Sequence, residues 1–182
     1  NFLNGKYPNW NYSALETSKA MIKIAKKYNK EAKFYNSEIK NFTSKEKFDV
    51  ISLFGVLGIF NFEEGKKTIK KLIKMLKVDG ELFIFSYFND HDVDVLINHR
   101  KYYDNKLGKL ESGWNIYSKK TIERFLEKER VSYKFYNFSM PFQIKKKKDP
   151  IRTWTINIKN KLYLTNGLGL IFNLKFLKIK KL

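Results

Sequence analysis

The chain has 182 residues, a net charge of +19 and 43% hydrophobic residues. That is one domain of ordinary size with enough apolar content for a real core, and no run of about 18 apolar residues exists to span a membrane. Cysteine is absent, which excludes a disulfide framework, a thiol nucleophile and a thiolate metal site, and fits a cytoplasmic location.

No secretory signal is visible. The positive charge is nearly all lysine; arginine stands only at Arg100, Arg124, Arg130 and Arg152. Proteins that grip phosphates or base edges lean on arginine forks. Lysine excess beside many Asn, Ile, Phe and Tyr therefore reads as the codon bias of an AT-rich genome before it reads as a nucleic-acid surface.

In chain order, residues 2–5 read as a helix tail closed by Gly5, and Pro8-Asn9 as a turn. Residues 10–15 are a strand candidate with Glu16 at its carboxyl end. Thr17 or Ser18 can cap a helix over 19–28 that carries Met21, Ile24 and Ala25 at helical spacing. Residues 32–36 form a second strand, ending at Ser37-Glu38. Residues 50–54, an apolar run broken by Gly55, suit a third strand buried on both faces of a parallel sheet. An amphipathic helix over 63–76 follows, with Ile69, Leu72, Ile73 and Leu76 on one stripe; Val78-Asp79-Gly80 is a turn and 81–87 a strand.

That order predicts a Rossmann-like, doubly wound α/β fold with a mostly parallel sheet. Ligands of such folds bind beyond the carboxyl ends of the strands, so residues 52–57 should line a site. After Tyr87 the pattern changes. Residues 93–102 read as a helix and 106–113 as a loop. Ser118 caps a helix to about 128 with Ile122, Phe125 and Leu126 inward, and 132–138 is a strand. Lys145 to Lys148 are a solvated charge run. Residues 153–158 and 162–165 flank Lys159-Asn160-Lys161 as a hairpin, and 176–180 form a final antiparallel edge strand. The expected division is a cofactor-binding part, 1–88, and acceptor-side elements of the same domain, 89–182.

Four stretches carry a resemblance. Tyr12-Ser-Ala-Leu-Glu-Thr-Ser-Lys-Ala-Met21 resembles the second-strand segment of class I S-adenosylmethionine-dependent methyltransferases. Lys33-Phe-Tyr-Asn-Ser-Glu-Ile39 is similar to their third-strand segment, and Phe48-Asp49 through Leu57 to their fourth. Leu76-Lys-Val-Asp-Gly80 with the strand behind it resembles their turn and fifth strand. The resemblance runs from about Gly5 to Phe88. It implies S-adenosylmethionine as cofactor, with Glu16 and Thr17 at the ribose, Met21 and Ile39 around the adenine, Ser37 and Glu38 near its amino group, and Ser52, Leu53 and Phe54 at the methyl-transfer site. Physical chemistry agrees for Glu16, because a strand-end carboxylate can accept both ribose hydroxyls. Glu16 also has a second reading, as a carboxylate favoured by a helix N-terminus. Glu38 reads equally as a solvated loop charge, and Met21 and Ile39 as ordinary core.

The family's glycine-rich loop, which follows its first strand, would precede Asn1, so we expect it upstream of this sequence. Gly58-Ile59 stands where many members have a histidine. His91, just past the fifth strand, is then the candidate general base, with Asp90 and Asp92 expected to raise its pKa; His99 lies next to Arg100. Tyr87, Arg100, Trp114, Tyr117 and Arg152 fall where the family builds its acceptor site, and arginine with aromatics suits an anionic or sugar-bearing acceptor. Arg152-Thr-Trp-Thr with Thr165-Asn-Gly167 resembles methyltransferases of surface-polysaccharide clusters. No His/Asp/Glu spacing suggests a zinc site. Two alternatives stand beside a small or carbohydrate-linked acceptor: an RNA methyltransferase, and a non-catalytic binding module of the same fold.

Overall fold

The computed structural model describes residues 2–103, 106–149 and 151–182. Two compact units divide the chain, Asn1–Lys45 and Glu46–Leu182.

The first unit holds α1 (Phe2–Lys6), β1 (Ser13–Glu16), α2 (Lys19–Tyr28) and β2 (Lys33–Asn36). Gly5 lies inside α1 rather than closing it. β1 starts at Ser13, three residues later than the sequence suggests. Trp10 is drawn instead into a stack on Tyr7, ring centroids 4.4 Å apart, and the Tyr12 hydroxyl reaches the carbonyls of Leu3 and Tyr7, each at 2.9 Å. Ser18 sets the start of α2: its Oγ accepts the Met21 N–H at 3.3 Å. β1 and β2 run parallel in register from Ser13 opposite Lys33 to Glu16 opposite Asn36. A two-stranded sheet this short covers little of α2. Ile22 and Ala25 are half-buried, while Met21 and Ile24 stay at least half exposed instead of facing a core.

The second unit opens with β3 (Phe48–Phe54), a single 3₁₀ turn at Leu57–Ile59, α3 (Phe62–Met75) and β4 (Leu76–Asn89). A capping box starts α3: Asn61 Oδ1 accepts the Glu64 N–H at 3.0 Å and the Glu64 carboxylate accepts the Asn61 N–H at 3.2 Å. Its stripe of Ile69, Leu72, Ile73 and Met75 is buried. β4 begins directly at the end of α3. The Val78-Asp79-Gly80 turn is absorbed into it as a bulge, with Asp79 at φ 62° and the register on β3 shifting between Phe48 and Val50. Gly80 is required there, since a Cβ would meet the carbonyls of Lys77 and Phe48 at 3.0 Å.

Beyond β4 come β5 (Asn98–His99), β6 (Tyr102–Tyr103), β7 (Lys106–Leu107), β8 (Glu111–Ser112), β9 (Tyr117–Ser118), α4 (Lys119–Leu126) and β10 (Val131–Asn137). The chain closes with β11 (Trp154–Ile158), β12 (Lys161–Thr165), β13 (Ile171–Phe172) and β14 (Leu174–Lys181). The main sheet is ordered β10-β14-β4-β3, with β9 beside the end of β4. β3 and β9 are parallel to β4, and β14 is antiparallel to both β4 and β10. The fold is thus an α/β arrangement around a mixed sheet, as the order of elements predicts. β14 is interior rather than the edge strand expected, because its alternate residues Leu177 and Ile179 are buried with Leu82, Ile84 and Phe88 of β4.

β3 is not buried on both faces. β4 is its one partner among the described strands, and only Leu53 is buried, while Val50 and Phe54 are exposed. Residues 93–102 form no helix, and 106–113 are not plain loop. The half-buried positions are Val95, Ile97, His99 and Lys101; Leu96, Asn98, Arg100 and Tyr102 are exposed. That is the period of a strand. Val95 bridges Ile116, β5 pairs with β8, and β6 with β7, which together make a narrow antiparallel arm. β11, β12 and β13 form a separate three-stranded sheet. Lys159 and Asn160 at its first turn have φ of 48° and 62°, the left-handed pair that a two-residue hairpin needs.

Candidate active site

In the first unit, parallel pairing sets the ends of β1 and β2 side by side. Glu16 closes β1, and Ser37-Glu38-Ile39 follows β2. Asn36 ties the two ends together: its Nδ2 donates to the carbonyls of Glu16 and Thr17 at 2.9 and 2.8 Å. The Glu16 carboxylate accepts the Ser18 N–H at 2.8 Å and the Thr17 hydroxyl at 3.2 Å, both on Oε1. The Ser18 N–H, outweighing desolvation, holds its pKa below the ordinary carboxylate range. The helix-terminus reading of Glu16 is therefore realised in its geometry. Ser37 Oγ donates to the Glu38 carbonyl at 3.1 Å, and the Glu38 carboxylate meets Lys40 at 2.7 Å in an exposed pair. Met21 is exposed and Ile39 half-buried. Glu16 and the Ser37-Glu38 pair thus stand at the carboxyl ends of two adjacent parallel strands.

In the second unit, strand alternation turns Ser52 and Phe54 to an exposed face and Leu53 into the core. Phe54 leans edge-on against Phe85 and Phe176. Leu53 can offer a ligand only its main chain. Gly55, at φ 70°, turns the chain away while its N–H donates to the Phe85 carbonyl at 2.9 Å. The following turn is clamped by Asn115, which is fully buried. Asn115 N–H donates to the Gly58 carbonyl at 2.9 Å, its Nδ2 to the Phe60 carbonyl at 2.8 Å, and its Oδ1 accepts the Ile97 N–H at 2.8 Å. A Cβ at position 58 would lie 3.1 Å from the Asn115 carbonyl, so a side chain there would press on that backbone, while Ile59 beside it is exposed.

The acceptor-side candidates divide. Tyr87 and Trp114 pack with Phe172, centroids 4.5 to 5.8 Å apart, beside Leu164 and Leu174. Burial pushes the Tyr87 hydroxyl up to about 12. Tyr117 is buried, its hydroxyl donates to the Phe60 carbonyl, and it packs under Gly65. It is a core residue here rather than one that meets an acceptor. Burial first, then Asp94 and Glu64, raise its pKa. Arg100 is exposed on the arm, and Arg152 is exposed beside Asp149, 3.7 Å from Nε. His91 is exposed on the loop after β4, where its N–H donates to Asn89 Oδ1 at 3.1 Å. The flanking carboxylates are taken by lysines, Asp90 by Lys119 and Lys175, and Asp92 by Lys120. Among the described residues no group of three His, Asp or Glu side chains could hold a metal.

The loop's organisers escaped sequence reading. Asp94 accepts the Ser118 N–H at 2.6 Å and the Thr121 hydroxyl at 2.8 Å, and Lys175, buried on β14, reaches Asp90 at 2.9 Å and Asn137 at 2.6 Å. Neither they nor Asn115 sit in a motif. The one signal was a lysine at an inward-facing register of an alternating strand.

The fold with strand-end carboxylates defines a class of nucleotide-cofactor enzyme, and comparison narrows it. The methyltransferase domain family matches residues 2–129. The chain belongs to that family, and it has the fold of S-adenosylmethionine-dependent methyltransferases. A structure described as such an enzyme from Clostridium acetobutylicum ATCC 824 aligns with a TM-score of 0.61 at 14% identity, covering 98% of this chain and 77% of that one. The plantazolicin methyltransferase BpumL, solved with a pentazolic desmethylPZN analog and SAH, aligns at 0.58 with 16% identity, covering 100% and 71%. The N-methyltransferase NodS from Bradyrhizobium japonicum WM9 aligns at 0.57 with 11% identity, covering 99% and 79%. No curated protein sequence matches.

Proposed function

We infer that the chain transfers the methyl group of S-adenosylmethionine to a small or carbohydrate-linked, anionic acceptor. The observation that carries the reading is the pair of carboxylates on adjacent parallel strand ends, Glu16 and Glu38, in a chain of this family. The donor set fits a nucleoside: Glu16 is an acceptor-only group for ribose hydroxyls, Glu38 and Ser37 serve the adenine edge, and Met21 and Ile39 give apolar contact. The bound cofactor supplies an activated methyl group, and the protein's own share is alignment.

In the second unit, Ser52 and Phe54 are assigned to the wall of the transfer site. His91 is assigned to take the acceptor's proton, a role that its exposed imidazole on a loop fixed by Asp90 and Lys175 supports. Arg100 is assigned to the acceptor's negative charge, for which its free, exposed side chain is suited. Tyr87 and Trp114 give that side its aromatic floor. The test is transfer of labelled methyl groups from S-adenosylmethionine to candidate acceptors by the full-length protein. Arg100→Ala is expected to raise the acceptor's KM roughly tenfold or more with cofactor affinity unchanged, and His91→Ala to lower kcat by about 10²-fold or more for a hydroxyl acceptor. Turnover untouched by both substitutions contradicts these assignments. An RNA acceptor would be revealed by binding that collapses between low and moderate salt.

A further inference from the structure

The arm between Val95 and Ile116, anchored at its base by Asn115 and Trp114, displays large apolar side chains. Leu96, Tyr102, Leu107 and Leu110 are 54% to 73% exposed. On the outgoing limb they alternate with Asn98 and Arg100 on one face, while Ile97, His99 and Lys101 on the other are half-buried. Tyr102 stands directly across from Leu107 in the β6–β7 pairing, so the two limbs share the exposed apolar face. Lys106 and Lys109 are exposed beside Leu107 and Leu110 along the returning limb. The root of the arm is held firmly: Asn115 Oδ1 accepts the Ile97 N–H, Val95 and Ile116 exchange backbone bonds at 2.8 and 2.9 Å, and Lys101 reaches Asp149 at 3.2 Å.

We propose that this arm is an interfacial element that lays its Leu96/Tyr102/Leu107 face into an anionic lipid surface. Three features select lipid over other partners. The centre of a protein interface is depleted of lysine and of charge, whereas here Lys106 and Lys109 flank Leu107 and Leu110 along the chain. Single-stranded nucleic acid is held by aromatic stacking, to which leucines contribute nothing. At a lipid surface the same mixture is complementary: leucine enters the acyl boundary, tyrosine sits at headgroup level, and lysine extends to anionic headgroups. The chain's charge of +19 draws it to such a surface, and no helix long and apolar enough to cross a membrane is needed for peripheral binding. This goes beyond the methyl-transfer reading and does not depend on it.

The test is co-sedimentation of the full-length protein with vesicles of phosphatidylcholine alone and of phosphatidylcholine with roughly half phosphatidylglycerol. Binding is expected to the anionic vesicles. Leu96→Ser/Tyr102→Ser/Leu107→Ser should weaken it by about tenfold or more, with circular dichroism and Tm unchanged because the three side chains are solvent-exposed. Tyr102→Trp gives a second readout that needs no loss of function: its emission should shift to the blue and be quenched by bromine-labelled lipid. The proposal is overturned by failure to bind anionic vesicles, by binding that the triple substitution leaves intact, or by Tyr102→Trp emission indifferent to the lipid. It is equally overturned if the triple substitution instead abolishes self-association or RNA binding.

Discussion

Lys175 and Asp90 show how far one buried charge shapes the candidate site. Lys175 has 6% of its side chain exposed and depends on Asp90 and Asn137, whereas Asp90 is half-exposed and is also served by Lys119. The two are therefore unequal in what their loss leaves behind. Asp90→Asn strands a buried cation and should destabilise the protein by about 2–4 kcal/mol, below the full cost of breaking a buried pair because Asp90 is partly solvated. Lys175→Met removes the charge together with its demand for a partner and should be close to neutral. Urea denaturation of both variants checks this; equal losses would contradict the asymmetry. For Asp90, burial acts to raise the pKa, and Lys175 and Lys119 outweigh it, so the folded value is lowered. Its contribution to stability is thus present above the ordinary aspartate range and is lost as pH falls through the depressed folded value. In the sequence the one sign is that Lys175 shares the register of Leu177 and Ile179 on an alternating strand, and it looks like one more exposed lysine until the partner strands are known.

At the scale of elements, helices were the legible part. Ser18 and Ser118 cap the helices that follow them as expected, Asn61 adds a cap that was not anticipated, and the apolar stripes of α3 and α4 are buried as their spacing predicts. The capping box makes Asn61→Ala a clean probe: about 1 kcal/mol of stability should be lost, read as a fall in the urea midpoint with an unchanged slope. No change would mean that α3 is held by packing alone. Strands were less legible. The bulge at Asp79 hid the first residues of β4, since Val-Asp-Gly is also a good turn. The arm reads as a helix only if the two-residue spacing of Val93, Val95 and Ile97 is passed over; that spacing is a strand's, and Val95 pairs with the distant Ile116. Strand-end carboxylates were legible because they sit at the end of a short, local βαβ unit. Tyr117 was not, since its burial depends on the turn at Phe60, far away in sequence.

For the molecule as a whole, the order of strands and helices was enough to expose a Rossmann-like fold; the methyltransferase likeness came from four stretches of sequence, and the family match over residues 2–129 turns it into membership. The division at Lys45 and Glu46 was not legible, because compactness depends on pairings that a linear pattern does not list. Charge was legible in amount but not in use. Aspartates and glutamates are largely engaged by nearby lysines, as at Asp49 with Lys77 and Glu81 with Lys178, and the surplus is spread over the surface. The central claim is that Glu16 receives the ribose of S-adenosylmethionine. Calorimetric titration of the full-length protein with S-adenosylhomocysteine, wild type against Glu16→Ala, tests it most directly. The account predicts an affinity lower by roughly ten- to a hundred-fold, equivalent to about 1.5–3 kcal/mol, in a variant whose circular dichroism is unchanged. Equal affinity in a folded Glu16→Ala protein would contradict it.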